Sequence, residues 1–142
     1  MSMFISSLMF VALLAVSVAH LVWTFGSTWP IRDERLLAQT VIGYKDARHV
    51  PRGTAFGVFA LTLLAGIMAV ALADETSGGI WLSGIGLALA VVFLARGILG
   101  YTSAWAERRP EPSFRFNDRR VYSPLCLAVG VGFLALVALR LI

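Results

Sequence analysis

His20, Arg96, Asn117 and Asp118 are polar side chains in or beside long apolar runs, and each needs a partner that a hydrocarbon environment does not supply. Arg96 is the most demanding of them. It stands five positions before Tyr101, late in an otherwise apolar stretch, and an arginine at the centre of a bilayer costs about 2.5–3.5 kcal/mol on insertion scales. Five residues of helix span roughly 7.5 Å, which leaves two placements open. The guanidinium can snorkel to the headgroups, or it can turn inward to a polar group or an anionic ligand. His20 is followed by Trp23 and Thr24 at the spacing that shares a helix face. Its ordinary role is an interhelical hydrogen bond; its chemical role is general acid or base. Asn117 and Asp118 come just before another apolar run, with Tyr122 four residues beyond Asp118. The pair reads as a turn or a helix start, or as the polar complement of Arg96. Convergent polar groups in an apolar cavity are what a binding site is made of. The candidate site is therefore His20, Trp23, Arg96, Tyr101, Asn117, Asp118 and Tyr122.

Other chemistries lack their residues. Cys126 is the only cysteine, so an internal disulfide, a CxxC redox pair and a cysteine-based zinc site are excluded; early in an apolar helix, it is expected to be buried, inert packing. A bis-histidine haem needs a second intramembrane histidine, and the only other one, His49, lies between apolar runs. No Gly-rich phosphate loop, zinc-ligand spacing or serine nucleophile motif occurs. No motif indicates a cofactor. No Asp or Glu lies inside an apolar run, which counts against a proton-coupled exporter.

The elements that position these residues follow from composition. Of 142 residues, 58% are hydrophobic and 14% charged, against about 25% charged in a soluble domain. The mean hydropathy is +0.81, and a chain this short has too little interior to hide so much apolar surface. Four runs, at about 3–25, 54–73, 80–101 and 122–139, reach the roughly 20 residues that a helix needs to cross hydrocarbon. They are continuously apolar rather than alternating, so they read as helices and not barrel strands. The expectation is an all-α, polytopic membrane protein: a four-transmembrane-helix bundle in a single domain, 1–142, with the lipid bilayer as its first partner. The N-terminal run has no Lys or Arg before it, which predicts a retained span rather than a signal peptide.

Arg32, Arg35, Lys45, Arg48 and Arg52 separate the first two runs, and Arg108, Arg109, Arg115, Arg119 and Arg120 the last two. The connector 74–79 has no basic residue. The positive-inside rule then puts both long loops in the cytoplasm and both termini outside. It also explains the net charge of +4 without nucleic acid, since the cations lie in loops rather than on one binding face. By depth, Trp81 should lie at the outer interface and Trp23, Trp29, Tyr101 and Trp105 at the inner one. Pro30 suits a first helical turn, after which Leu36, Leu37, Thr40, Val41 and Tyr44 share a face. This predicts a short amphipathic cytoplasmic helix between the first two spans, lying on headgroups or packed over the mouth of the bundle. The ERRPEPS stretch is expected to be irregular, and Ser123-Pro124 to cap and begin the fourth helix. Gly84, Gly86, Ala90, Ala128 and Gly132 permit close helix packing, within the bundle or between protomers.

The stretches His20-Leu21-Val22-Trp23 with Gly26 and Pro30, Arg96-Gly97-x-x-Gly100-Tyr101, and Phe116-Asn117-Asp118-x-x-x-Tyr122-Ser123-Pro124-Leu125-Cys126 resemble the domain of unknown function 3995 family of small bacterial membrane proteins. The first matches more loosely, with Thr24-Phe25-Gly26-Ser27 where that pattern has a paired glycine. The resemblance implies a four-helix protein of a bacterial inner membrane and brings no activity, substrate or cofactor. Two function classes remain. One is a non-enzymatic module that binds a small molecule or lipid, or serves as an accessory subunit, as a homo-oligomer or in a larger membrane complex. The other is a membrane enzyme with His20 as acid or base and Arg96 anchoring an anionic group; a lone histidine without a visible orienting partner favours the first.

Overall fold

The computed structural model describes residues 1–74, 76 and 78–142. Continuous apolar sequence in these runs produces helix, and no strand occurs among the described residues. The helices are α1 (Ser2–Thr24), α2 (Glu34–Ile42), α3 (Arg52–Ala73), α4 (Gly79–Leu99), α5 (Ser103–Arg108), α6 (Pro112–Asn117) and α7 (Ser123–Leu141), with a π-helical turn, Asp118–Tyr122, joining α6 to α7. Four helical stretches are long and apolar enough to cross a membrane: α1, α3, α4 and the continuous 112–141 segment. Glu75 and Ser77, in the connector expected to be an acidic turn, lie outside the described residues.

The spans associate as two antiparallel hairpins. α1 packs along α3 and α4 along α7, while contacts between the hairpins are sparser. Small residues govern the second hairpin. A methyl group added at Gly97 would sit 2.6 Å from Leu127 Cγ, and one added at Gly130 would sit 2.7 Å from Leu94 Cγ. Each helix thus seats a leucine in the other's glycine notch, an approach that requires the missing side chains. In the first hairpin the Ser17 hydroxyl donates to the Phe59 carbonyl at 3.1 Å. Met9, Leu13, Ala69, Leu72, Val129, Phe133 and Leu136 form the shared core, with Phe93 stacked on Phe133 at 6.0 Å. Leu8, Val11, Leu61, Leu64, Val91, Val92 and Val131 point outward. So much exposed apolar surface is a liability in water and the proper exterior in lipid.

α2 is the expected amphipathic helix, with corrected limits. It starts at Glu34 rather than near Pro30, because Asp33 caps it: the Leu36 N–H donates to Asp33 Oδ1 at 2.8 Å. It stops at Gly43, whose φ of +90° is the left-handed cap conformation that glycine adopts without strain. Its buried residues are Leu37, Ala38 and Thr40, and Leu37 packs with Trp23 and Ala55. Leu36 and Tyr44 stay exposed, so the helix packs over the mouth of the bundle with a narrower apolar face than expected.

The second long loop is irregular only at 109–111, and helices stand on both sides of that break. Thr102 caps α5, its hydroxyl accepting the Trp105 N–H at 3.3 Å, and Pro112 opens α6 at a position where its missing N–H costs nothing. Nor do Ser123 and Pro124 start a separate helix: α6 runs on into α7 through the π turn. There the Ser123 N–H bonds back to the Asp118 carbonyl, five residues earlier. In that register Pro124 has no N–H for the Arg119 carbonyl. The Tyr101 hydroxyl donates to this carbonyl instead, at 3.1 Å.

Candidate functional site

Asp118 lies at the centre of the end of the bundle that carries the long loops. Three side chains from three elements donate to its carboxylate. Arg96 Nη2 of α4 reaches Oδ1 at 2.7 Å, the Ser123 hydroxyl reaches Oδ1 at 3.2 Å, and the Trp105 indole N–H reaches Oδ2 at 2.9 Å. The Arg96–Asp118 contact has the short length of a charge-assisted bond. Its two ends differ in burial: the Arg96 side chain is 30% exposed and that of Asp118 is 2%. Gly100 makes room for this arrangement. A methyl group there would overlap the Ser123 hydroxyl and lie 2.8 Å from Asp118 Oδ2.

A second arginine enlarges the cluster. Arg96 and Arg109 lie over the Trp105 ring, 4.9 Å and 5.2 Å from its centroid. Arg109 also lies 4.3 Å over Tyr44 and donates to the Ile42 carbonyl at the end of α2. At this end of the bundle the Arg96–Asp118 contact is the only ion pair among the described residues.

Beside the cluster is a cavity of about 270 Å³. Leu13, Val16, His20 and Trp23 of α1, Val58 and Thr62 of α3, Phe93 and Arg96 of α4, and Tyr122, Leu125, Cys126 and Val129 of the last span line it. Val41 of α2 and Phe114 of α6 complete the lining. The α2–α6 contact is held by the Glu111 N–H on the Gly43 carbonyl at 3.2 Å and the Thr40 hydroxyl on Ser113 at 3.3 Å. Arg96 Nη1 is sealed from solvent and so does not open onto the cavity; it makes no hydrogen bond, and its guanidinium lies over the Trp105 ring. Leaving such a group unmet costs about 1–3 kcal/mol, and more when it is charged.

His20 contributes the opposite polarity. Its Nδ1 lies 2.8 Å from the Val16 carbonyl, so Nδ1 carries the proton. The neutral ring then keeps Nε2 as an acceptor. Trp23 stacks edge-on against it at 4.7 Å, with the indole N–H donating to the Trp29 carbonyl at 2.6 Å.

The sequence-derived candidates therefore divide. His20, Trp23, Arg96 and Tyr122 line one cavity, and Asp118 is bonded to Arg96 at its edge. Asn117 and Tyr101 are not in the lining: the Asn117 amide donates to the Ser113 carbonyl at 3.0 Å, and Tyr101 serves the π turn. Trp23 is buried and Trp105 is half-buried with its indole N–H on Asp118, whereas Trp29 and Tyr101 are exposed. Cys126 is half-buried and faces the cavity instead of being sealed in the core. Trp105, Ser123, Gly100 and Arg109 were missed. The sequence signals for them were faint: a Gly-Tyr after Arg96, and a serine five residues beyond Asp118, a spacing that only a π turn brings together.

The chain matches the model of a family described as a protein of unknown function, DUF3995, over residues 13–133. No curated protein and no solved structure matches it.

Proposed function

We propose that this chain, which belongs to the DUF3995 family, is a membrane-embedded binding module whose cavity holds the apolar part of a small molecule or lipid while Arg96 takes its polar end. The observation that carries this reading is the apolar cavity of about 270 Å³ that has Arg96, the partner of Asp118, in its lining. Asp118, itself held by Ser123 and Trp105, fixes Arg96 in place, and a charged side chain set in an otherwise apolar lining suits the polar end of a ligand. In this reading Arg96, Asp118, His20, Trp23 and Tyr122 are the working residues.

The enzymatic alternative, with His20 as acid or base, is less well supported. The ring is oriented by a neutral backbone carbonyl, whereas a carboxylate behind the imidazole would stabilise the charged form that catalysis requires. The charge bias of the loops supports long loops in the cytoplasm and both termini outside, and the family resemblance a bacterial inner membrane. The module then works in lipid, alone, as a homo-oligomer or within a larger membrane complex, without nucleic acid.

Mass spectrometry of protein released intact from its membrane tests the binding reading. The native chain should carry a bound small molecule or lipid at about one per chain, and Val58→Trp, which fills the cavity, should release it. Equal retention by Val58→Trp, or none by the native chain, overturns the reading.

A further inference from the structure

We infer that a second, polar pocket at the mouth of the bundle holds the head of a phosphoethanolamine lipid, with Arg52 on its phosphate and Glu34 on its ammonium. This pocket, of about 380 Å³, lies between the turn that ends α1, the start of α2 and the segment that leads into α3. Its base is apolar and fixed: Trp23 and Leu37 are buried and pack with Ala55. Trp23 also lines the cavity beside Arg96, so the indole is a wall shared by two separate spaces. The inference does not depend on what fills the first.

Charge defines the ligand. Arg52 and Glu34 both line the polar pocket, yet among the described residues neither side chain makes an ion pair or a hydrogen bond. Their charged atoms therefore stand more than 4.0 Å apart. The Arg52 guanidinium rests against the turn after α1, since a methyl group added at Gly26 would lie 3.2 Å from its Nη2. On the same turn the Ser27 hydroxyl accepts the Trp29 N–H at 3.3 Å and keeps its own proton to donate. A guanidinium and a hydroxyl at one turn suit phosphate oxygens. A carboxylate elsewhere in the pocket suits a cation.

A zwitterion answers both charges at once. A purely anionic head would leave Glu34 facing a like charge, which is a penalty against the wrong partner. Ethanolamine brings N–H donors to the carboxylate, whereas the quaternary ammonium of choline has none and is ordinarily held by a cage of aromatic rings. Trp23 is the only Trp, Tyr or Phe in this lining. Depth points to a lipid as the source. Phe25 and Trp29, on either side of the lining residues 26–28, are 79% and 67% exposed, as aromatic side chains at the headgroup level are.

The full chain in detergent is offered equal amounts of phosphatidylethanolamine, phosphatidylcholine and phosphatidylglycerol with identical acyl chains, and the first lipid retained is read by native mass spectrometry. Phosphatidylethanolamine should be retained about fivefold over either competitor, the upper end for one exposed ion pair. Glu34→Gln should remove its advantage over phosphatidylglycerol, and Arg52→Gln should reduce its retention severalfold; both side chains are exposed, so both variants should fold. Val58→Trp, which fills the other cavity, should leave the preference unchanged; its loss there would place the lipid in that cavity and overturn the assignment. Glycerophosphoethanolamine, the same head without chains, should displace the lipid only at far higher concentration. Displacement at equal concentration would overturn the lipid as source. No preference in the native chain, or one that Glu34→Gln and Arg52→Gln both keep, overturns the inference and leaves the binding reading of the cavity untouched.

Discussion

Asp118 and Arg96 are partners with unequal alternatives. The Asp118 side chain is nearly sealed, and its remaining hydrogen bonds come from Trp105 and Ser123, both neutral. Arg96 is 30% exposed, so without Asp118 it can reach toward the interface along its own stem. Breaking a buried pair costs about 3–5 kcal/mol, and that full cost belongs to Arg96→Ala, which strands the sealed carboxylate. Asp118→Ala should cost less, on the order of 1–3 kcal/mol. The double variant should fall well short of the sum, as measured by denaturant titration in detergent. Equal single losses that add would show that the two ions do not depend on each other. Gly100→Ala gives a steric counterpart. Its methyl group has no room beside Ser123 and Asp118, whereas one at Gly84 meets nothing within 4 Å. Gly100→Ala should therefore destabilise by about 1–3 kcal/mol, and Gly84→Ala should be neutral or slightly stabilising. The convergence of Arg96 with Asp118 was legible in the sequence because depth alone brings them to one level. The roles of Asn117 and Tyr101 were not, because a side chain's direction around a helix depends on a local register that spacing cannot supply.

Among the elements, the hairpin of α4 and α7 depends on two glycine notches, and α2 depends on contacts with α6 and with Arg109, just beyond α5. Gly97→Ala and Gly130→Ala should each cost about 1–3 kcal/mol through overpacking, since the nearest atoms include the Leu127 and Leu94 backbone nitrogens, 3.0 Å away in each case. Wild-type stability in both variants would mean that the helices can part at little expense. At the mouth, Arg109 is bound to the Ile42 carbonyl and lies over Tyr44 and Trp105. Arg109→Ala should speed hydrogen exchange across residues 34–42 while leaving the middle of α1 and α3 unchanged. The four spans were readable from apolar length alone, which asks only what solvent surrounds a helix. The structure of the ERRPEPS region was not readable in the same way: Pro112 can end a helix or open one, and only the chain before it decides.

For the molecule as a whole, the charge asymmetry makes the sidedness testable. In a Cys126→Ala background, which is expected to insert and fold normally, a cysteine at position 76 should react with a membrane-impermeant maleimide added from outside. One at position 113 should react only after the membrane is opened. The reverse pattern would invert the protein. The π turn has a consequence on the same scale. An α-helix turns about 100° per residue, so two residues five apart normally point about 140° away from each other. The extra residue in this turn brings Ser123 back beneath Asp118, and it sets the rotational phase between α6 and α7. Deleting exposed Val121 would restore ordinary helical winding and rotate everything before it by about 100° relative to everything after. Phe114 would swing off the cavity and Asp118 away from Arg96 together, although neither residue had been altered. One supernumerary residue acts as a gear tooth, keeping the cover of the cavity and its charge in step.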